Sequence, residues 1–323
     1  MMFFMQSKKN LSFNYASNKI LLFFLCSLQF SFGQTQRHKD LYEFNLRGEV
    51  KSMHTVIYKA VKKSGTIMKG KKDPSRDEHN FIFNENGMVI EFVSHPNDGR
   101  SEEKFTYLFD DHLNRIEMNR YDANGVFVRK QKYTYDEKQV KAEEGLYDAS
   151  GRALMVGRFN NQYSSIGEIV GRDILKENGN RNGRIEYQSD SCGNITVRSR
   201  FLEDGVLVSK KSWVYNSSGY VIESNDYESN WSYDLRTLYD WNEAGKRMDK
   251  SWYGNKIKFL LRVTILYDEY WNEIDVQEFG KKNKLSTHWR IEYEYDDEGN
   301  WIHAVLFKRN KPVFVVERTL GYF

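Results

Sequence analysis

The chain has 323 residues, of which 15% are aromatic and only three are proline, and it carries 48 basic and 45 acidic residues. This near-neutral balance argues against a nucleic acid or an anionic membrane surface as the partner, because both favour a positively charged protein. The low proline content, together with the absence of a low-complexity stretch, favours one folded domain rather than a chain of linked segments.

Residues 1–33 are predicted to be a signal peptide. They contain three lysines and no acid, and residues 20–32 form an apolar run of thirteen, which is short for a membrane span but typical of a leader. Ser31 and Gly33 place small side chains before a cleavage site that would leave Gln34 first. The sequence therefore predicts export to the periplasm, the cell surface or the exterior. A retained anchor is the alternative.

Cleavage would change both the charge and the cysteine content. It removes three lysines and leaves 45 basic against 45 acidic residues, so the mature chain is neutral. Cys26 leaves with the leader, and lipidation there is disfavoured because Leu25 precedes it instead of a small residue. Cys192 remains alone, so no intramolecular disulfide can form. We interpret Cys192 as an ordinary buried side chain beside a turn; a reactive thiol or an intermolecular link is the alternative.

Residues 34–79 are predicted to form an N-terminal cap strand and a basic loop. Residues 49–60 alternate between apolar and polar side chains, as a half-buried strand does. Residues 61–78 break this alternation with six lysines and arginines, two glycines and a proline. We interpret them as a solvated loop; docking of an acidic polysaccharide on this loop is the alternative.

Residues 80–318 repeat a unit of 26 residues, and a fixed period of this kind is the signature of a repeat architecture. The clearest copy is residues 291–300, IEYEYDDEGN, in which aromatic residues alternate with acids and lead into an Asp-rich turn. Nine equivalent turn positions are spaced by 26 or 28 residues: Gly87, Leu113, Gln139, Gly167, Gly193, Gly219, Gly245, Trp271 and Gly299.

The columns around these turn positions define the unit. Eight of the nine residues three places before the turn position are Asp or Asn, which initiate turns by bonding the backbone ahead of them. The residues four and six places before it are mostly Tyr, Phe or Trp, whereas those between are more polar. This period of two indicates a strand before each turn.

A second turn follows about twelve residues later, and it contains the strongest short-range signal for a β-hairpin. The five clear cases are Asp98-Gly99, Asn124-Gly125, Ser150-Gly151, Asn178-Gly179 and Asp204-Gly205. The sequence therefore predicts an all-β fold in a single domain over residues 34–323. We expect a repetitive antiparallel β-hairpin meander of about nine 26-residue units, curled or spiral, with the aromatic columns on its inner face. A propeller of about four blades is the alternative.

The Tyr-Asp-x-x-Gly-Asn motif, as in residues 293–300 and 121–125, resembles the YD repeat of the Rhs family. The resemblance covers about residues 80–309. Over this range the chain is similar to short secreted YD-repeat proteins of the Bacteroidota type, and it resembles MORN-like hairpin repeats more weakly. It implies strand–turn–strand meanders that curl into spiral sheets or shells, and family members are often labelled carbohydrate-binding. The period of 26 is longer than that of the family, and no Pro-rich autoprotease core follows the repeats.

No catalytic motif can be assembled from the sequence. The seven histidines lack metal-ligand spacing, no Gly-rich phosphate loop leads from a strand into a helix, and no serine stands in a nucleophile elbow. The Asx-rich turns lack the acid pattern of a calcium loop. We therefore expect no enzyme activity, no cofactor and no metal.

Five tryptophans fall outside the aromatic columns and are the predicted ligand-binding residues: Trp231, Trp252, Trp271, Trp289 and Trp301. Exposed rings at loop rims can stack on the apolar face of a sugar. The sequence thus favours a non-catalytic, secreted or surface-held repeat protein that binds a polysaccharide or another envelope partner, such as a surface protein. A purely structural spacer, or a subunit of a surface assembly, is the alternative.

An outer-membrane barrel is disfavoured by the sequence. Lys130 and Lys132 lie on the strand face opposite the aromatic rings, where a lipid-facing wall would need apolar residues. The two sets of loops are also equally short, unlike those of such barrels. We expect no integral membrane span once the leader is removed.

Overall fold

The computed structural model describes residues 40–228, 233–242, 245–254 and 258–323. The predicted signal peptide and its cleavage site lie outside these residues. Within the described residues we find no helix with the length and apolar character that a membrane crossing requires.

The described residues form one short helix, α1 (Asp40–Glu43), one 3-10 turn (Lys281–Asn283) and 21 strands. The strands are β1 (Val50–Lys63), β2 (Thr66–Lys72), β3 (Glu78–Phe83), β4 (Val89–His95), β5 (Glu103–Phe109), β6 (Arg115–Tyr121), β7 (Phe127–Tyr135), β8 (Lys141–Asp148), β9 (Ala153–Tyr163), β10 (Ile169–Leu175), β11 (Arg181–Ser189), β12 (Ile195–Leu202), β13 (Leu207–Tyr215), β14 (Val221–Glu228), β15 (Tyr233–Trp241), β16 (Arg247–Gly254), β17 (Lys258–Tyr267), β18 (Glu273–Gly280), β19 (Lys284–Tyr295), β20 (Trp301–Lys308) and β21 (Lys311–Tyr322).

The sheet is closed. From β3 to β21 each strand pairs antiparallel with the next one along the chain, and β1 then joins the two ends. One edge of β1 pairs with β21, as at Met53↔Leu320, and its other edge pairs with β3, as at Met53↔Phe81. The protein is therefore an all-β, closed 20-strand antiparallel barrel.

Closure corrects the predicted architecture. The antiparallel hairpins follow the chain order as expected, but the curled or spiral open sheet is wrong, and the propeller alternative fails because all strands belong to one sheet. The physical reason is that unpaired strand edges are unfavourable. An open meander of this size would leave one edge of β1 and one edge of β21 without backbone hydrogen-bond partners, and the pairing of β1 with β21 supplies those partners.

The predicted basic loop over residues 61–78 is also corrected. Most of it is the hairpin arm of β1 and β2, which pair from Lys63↔Thr66 back to Tyr58↔Lys72. Ser64 and Gly65 have φ values of 50° and 86°, as a tight type I′ turn requires. The sequence does not indicate that β2 is a strand, because lysines occupy positions at which apolar side chains would produce an alternation of apolar and polar residues.

The nine predicted turn positions are confirmed as turns. Each of them has a positive φ, including the three that are not glycine, Leu113, Gln139 and Trp271. At the third unit, the Asp136 Oδ1 atom accepts hydrogen bonds from the backbone amides of Lys138 and Val140, both at 3.0 Å. Because the strands alternate in direction, all nine turns lie at one end of the barrel, which we call the first rim.

One face of the sheet is buried much more than the other. Met53, Phe81, Phe92 and Phe105 lie opposite one another across four neighbouring strands and share this face. It also carries a large buried cluster that runs from β16 through β21 to Ile57 of β1. We assign this aromatic face to the interior of the barrel, as the columns predicted.

The opposite face carries cross-strand ion pairs and forms the outer wall. Examples are Lys132 with Glu117 on β7 and β6, and Arg158 with Glu143 on β9 and β8. Lys132 therefore lies on the face opposite the aromatic rings, as the sequence predicted. Such a wall is suited to contact with water.

The segment before β1 lies against the first rim at the seam where β1 meets β21. The Leu41 amide donates to the Gly87 carbonyl at 3.1 Å, and the Asn45 side chain donates to the Tyr270 carbonyl at 2.7 Å. Residues 40–48 thus connect the first turn of the repeat with its last turns. The segment therefore packs over this part of the first rim, whereas the predicted cap strand is β1, which is part of the closed sheet.

Candidate binding site: an aromatic row at the first rim

The structure separates the five predicted tryptophans. Trp231 lies outside the described residues. Trp289 and Trp301 are each only 5% exposed and belong to the same buried interior cluster. Trp252 is half-buried on the inner face of β16, whereas Trp271 is 46% exposed in the turn between β17 and β18.

Trp289 and Trp301 are covered by their neighbours. The ring of Trp289 stacks on that of Phe314 with a centroid distance of 6.3 Å, and Trp301 contacts Tyr293 at 5.7 Å. Their burial leaves little ring surface for a sugar. A ligand-binding role for these two residues stays a prediction, and the structure gives them a packing role.

Trp271 is one end of a row of four rings that we call the rim row. Successive centroid distances from Tyr220 to Trp241, Tyr267 and Trp271 are 6.1, 6.4 and 6.1 Å. The two end rings are both 46% exposed, and the two middle rings are half-buried. The distances between neighbouring ring centroids are close to the length of one sugar unit. Consecutive units of a polysaccharide could therefore contact consecutive rings of the row.

The repeat explains why these rings come together. Trp241 and Tyr267 occupy the column four places before the turn, so the period of the repeat brings them to the same height at the first rim. Tyr220 and Trp271 come from the turns themselves. The sequence predicts only a packing role for Trp241 and Tyr267 and does not identify Tyr220 as a candidate. The positions of these three residues close to a turn were the sequence signal that could have placed them together at the rim.

Trp271 occupies a backbone conformation that disfavours it. Its φ is 67°, and six of the nine equivalent positions are glycine. A side chain in the left-handed region costs about 1–2 kcal/mol. A bulky ring held there against this cost indicates a role that glycine could not fill.

The ring of Trp271 lies across the preceding turn. A Cβ atom on Gly245 would stand 2.9 Å from the Trp271 Cη2 atom, and Gly245 itself has a φ of 69°. The Lys246 ammonium lies 4.1 Å from the Trp271 ring centroid and donates to the carbonyl of Asp268 at 2.8 Å. These contacts fix the direction of the ring.

Tyr270 extends the same turn in the other direction and was also missed by sequence reasoning. A Cβ atom on Gly299 would stand 2.8 Å from its Cε1 atom. The Tyr270 ring contacts Tyr295 at 4.7 Å and lies under the Arg47 guanidinium at 4.8 Å. The turn between β17 and β18 therefore places the ring of Trp271 against the preceding turn and the ring of Tyr270 against the following turn.

A buried hydrogen-bond network holds this turn in place. The Asp268 Oδ1 atom accepts from the backbone amides of Tyr270 and Asn272, both at 2.8 Å. The Tyr295 hydroxyl donates to the Asp268 Oδ2 atom. Burial, together with this hydrogen bond, raises the pKa of Tyr295 well above its ordinary value. The tyrosine therefore stays protonated and remains a donor.

The site offers ring surfaces, whereas the amides of the Trp271 turn already donate to Asp268. Across the part of the chain that the structure describes, no three His, Cys, Asp or Glu side chains are grouped to hold a metal ion. Cys192 is exposed in the turn between β11 and β12 on the first rim, so the burial expected from the sequence is wrong. This arrangement can stack on and hydrogen-bond a ligand; the lack of enzyme activity stays a prediction.

Comparison with known proteins gives weak structural similarities only. No family model matches the chain, and no curated protein matches it by sequence. A porin-like protein from Bacteroides uniformis has a TM-score of 0.33 with 9% identity, over 85% of this chain and 98% of that one. A putative outer membrane lipoprotein-sorting protein domain from Vibrio parahaemolyticus has a TM-score of 0.22 with 7% identity, over 84% and 86% of the two chains.

The Tc holotoxin pore from Photorhabdus luminescens, carrying TccC3, is also similar, with a TM-score of 0.17 and 11% identity. The alignment covers 76% of this chain and 20% of the toxin chain. No family model and no curated sequence supports the resemblance to the Rhs and YD-repeat family. At these TM-scores and identities, neither family membership nor function follows for this chain.

Proposed function

We propose that this protein is an exported, non-catalytic binding protein of the cell envelope, and that it holds a polysaccharide on the rim row. The observation that carries the proposal is Trp271. This residue keeps a large exposed ring in a backbone conformation for which the repeat uses glycine at most other turns.

The geometry of the rim row suits a repetitive ligand. Stacking on an aromatic ring contributes on the order of 1 kcal/mol beyond simple burial. One ring alone would therefore give weak binding, and several rings acting on one chain would add to a useful affinity. The two exposed ends, Tyr220 and Trp271, would contact different units of the same polysaccharide.

The outer wall and the charge agree with a protein that works in water outside the cytoplasm. Its cross-strand ion pairs are solvated, and the chain without its predicted leader has no net charge. Binding of a glycan by ring stacking needs no net charge on the receptor. The envelope location rests on the predicted leader.

The test compares Trp271→Gly with Leu113→Gly in a chain that begins at Gln34. Both residues have a positive φ, 67° and 60° respectively, so each change relieves similar backbone strain and both variants should fold. Only the first removes a ring from the rim row. The readout is a glycan array, followed by a pull-down with each polysaccharide that binds.

We expect Leu113→Gly to bind like the wild type and Trp271→Gly to bind about fivefold more weakly, since one stacked ring contributes on the order of 1 kcal/mol. Equal binding by the two variants would exclude the rim row. Failure of the folded wild type to bind any polysaccharide would instead favour the structural spacer or surface-assembly subunit.

A further inference from the structure

A second surface lies on the inner wall of the barrel between β10 and β16. Five cations project from this wall on the same face as the buried aromatic residues, and the strand register places them in neighbouring rows. They are Arg172, Arg198, Arg200, Lys211 and Lys250. We call this set the inner basic surface.

Two of these cations face each other directly. Arg198 on β12 pairs in register with Lys211 on β13, and like charges at opposed positions in a sheet are destabilising. Lys211 has a partner in Asp226 at 3.2 Å. Arg198 and Arg200 are exposed within the barrel and have no ion-pair partner among the side chains that the structure describes. The wall therefore keeps uncompensated positive charge.

Lys250 also indicates an excess of positive charge on this wall. It is half-buried, and burial first, then repulsion from Lys211, holds its pKa below the ordinary value for a lysine. The two ammonium groups thus sense each other across β14 and β15. A negatively charged ligand would relieve this repulsion.

Aromatic rings are interleaved with these cations. The Lys211 ammonium lies 5.7 Å from the ring of Trp213, and the Lys250 ammonium lies 5.0 Å from Tyr239 and 4.9 Å from Trp252. Trp252, predicted from the sequence as a ligand-binding residue, therefore belongs to this surface. Rings beside cations match a sugar that has both an apolar face and a carboxylate.

The number of strands predicts an interior wide enough for a polymer to enter. Barrels of about 16–18 strands already enclose an aqueous channel, and this barrel has 20. The mature chain is neutral overall, so the positive charge on this wall is a local feature that would concentrate an anionic ligand inside the barrel.

We propose that the inner basic surface binds an acidic polysaccharide, with Arg198, Arg200 and Lys211 pairing with its carboxylates and Trp252 stacking on its rings. This inference extends the proposed function from the rim to the interior, and it rests on that function for the choice of a glycan. It adds that the ligand is anionic and that it enters the barrel.

The experiment uses polygalacturonate as the acidic polysaccharide, dextran as the neutral one, and single-stranded DNA as a polyanion that is not a glycan. The inner variant is the double change Arg198→Ser, Lys211→Ser. The matched control is Arg184→Ser, Lys210→Ser, which removes two positive charges from β11 and β13 on the outer face. Binding is measured by calorimetry at low and high salt, after circular dichroism has verified the fold of each chain.

We expect the wild type and the outer variant to bind polygalacturonate within about twofold of each other, and the inner variant to bind at least about tenfold more weakly. The inner variant should also have a shallower salt dependence, because it releases fewer counterions. Dextran should bind more weakly than polygalacturonate to the wild type.

Three results would overturn the inference: no binding of polygalacturonate to the folded wild type, equal loss in the inner and outer variants, or DNA binding as tight as that of polygalacturonate. Failure here is separable from failure at the rim. Binding of a neutral glycan that Trp271→Gly abolishes and the inner double change leaves intact would support the rim row alone. Polygalacturonate binding that survives Trp271→Gly would support the inner surface alone.

Discussion

The guanidinium of Arg318 lies 3.5 Å from the ring centroid of Trp301, and both side chains are buried in the interior of the barrel. Among the residues that the structure describes, the Arg318 Nε and Nη1 atoms have no hydrogen-bond partner. An isolated buried charge is strongly unfavourable, and the face of an indole ring is the best aromatic partner for a cation. The ring of Trp301 thus stabilises the buried charge of Arg318 at the seam of the barrel.

Replacing Trp301 by alanine should destabilise the fold by about 3–5 kcal/mol, because it leaves a cavity and an uncovered Arg318. Trp271→Ala, at an exposed ring, should cost less than about 1 kcal/mol. Urea unfolding followed by circular dichroism measures both. If Trp301→Ala cost no more than Trp271→Ala, the interior assignment of Trp301 would be wrong.

Glu273 should make the stability of the barrel depend on pH. Its side chain is only 8% exposed, and among the described residues its Oε1 atom has no hydrogen-bond partner. Burial raises its pKa from 4.5 to about 7. Between these two pH values the folded state holds a proton that the unfolded state releases, so the contribution of Glu273 to stability should be greatest below about pH 4.5. It should fall by roughly 3 kcal/mol as the pH rises through 7.

Glu273→Gln should flatten this part of the profile and be more stable than the wild type at pH 8, since the amide stays neutral. Urea midpoints between pH 4 and pH 8 give the comparison. Glu292→Gln, at an exposed position on the outer face of β19, is the matched control and should keep the wild-type slope. A slope that persists in Glu273→Gln would assign the titration to another group.

The repeat was predictable because its signals are local. An Asp or Asn three places before a turn residue bonds the backbone within the same turn, as Asp136 does with Lys138 and Val140. These contacts need no distant partner, so the sequence shows them directly. Closure depends instead on Met53 meeting Leu320, and no local pattern indicates whether nine hairpins curve far enough to bring those strands together.

The candidate site was only partly predictable for a similar reason. Trp301 lies two places after a turn position, in a column that also holds Val89 and Ile169, so its burial could have been read from the repeat. Trp271 could be identified as a turn residue. Its contacts with Gly245 and Tyr267 depend on which turns are neighbours at the rim, which requires the register of the strands.

A tyrosine–aspartate contact links neighbouring turns. The Tyr163 hydroxyl donates to the Asp136 Oδ2 atom at 2.5 Å, and Tyr322 makes the same contact with Asp296 at 2.5 Å. Burial acts to raise the pKa of Asp136, but the hydrogen bonds from Tyr163, Asn161 and the turn backbone outweigh it and hold the pKa below the ordinary value. Asp136 thus accepts these bonds as a carboxylate near neutral pH.

Tyr163→Phe should cost about 1.5–3 kcal/mol at neutral pH, because it removes one hydrogen bond to a charged acceptor and leaves the ring in place. Tyr187→Phe is the control, since its hydroxyl has no hydrogen bond among the residues that the structure describes, and it should cost less than about 0.5 kcal/mol. The difference should shrink in acid as Asp136 takes up a proton. Urea unfolding at neutral and acidic pH tests both statements, and equal costs at neutral pH would contradict the link.

The closed seam itself can be tested with a cross-link. His54 on β1 and Thr319 on β21 are directly paired in the antiparallel register; His54 is half-buried and Thr319 is exposed. Opposed residues of an antiparallel pair have Cα atoms about 4.5–5.5 Å apart, which is within the range that a disulfide spans.

The double change His54→Cys, Thr319→Cys, made with Cys192→Ser in a chain starting at Gln34, should therefore oxidise to an intramolecular disulfide. Non-reducing electrophoresis and mass spectrometry would show a monomer with one internal bond. Ser199→Cys with Thr319→Cys, in which β12 lies far around the barrel from β21, is the control and should stay reduced or link two chains. In an open spiral sheet the first pair would also fail to close within one chain, and that result would return the fold to the form that the sequence alone suggested.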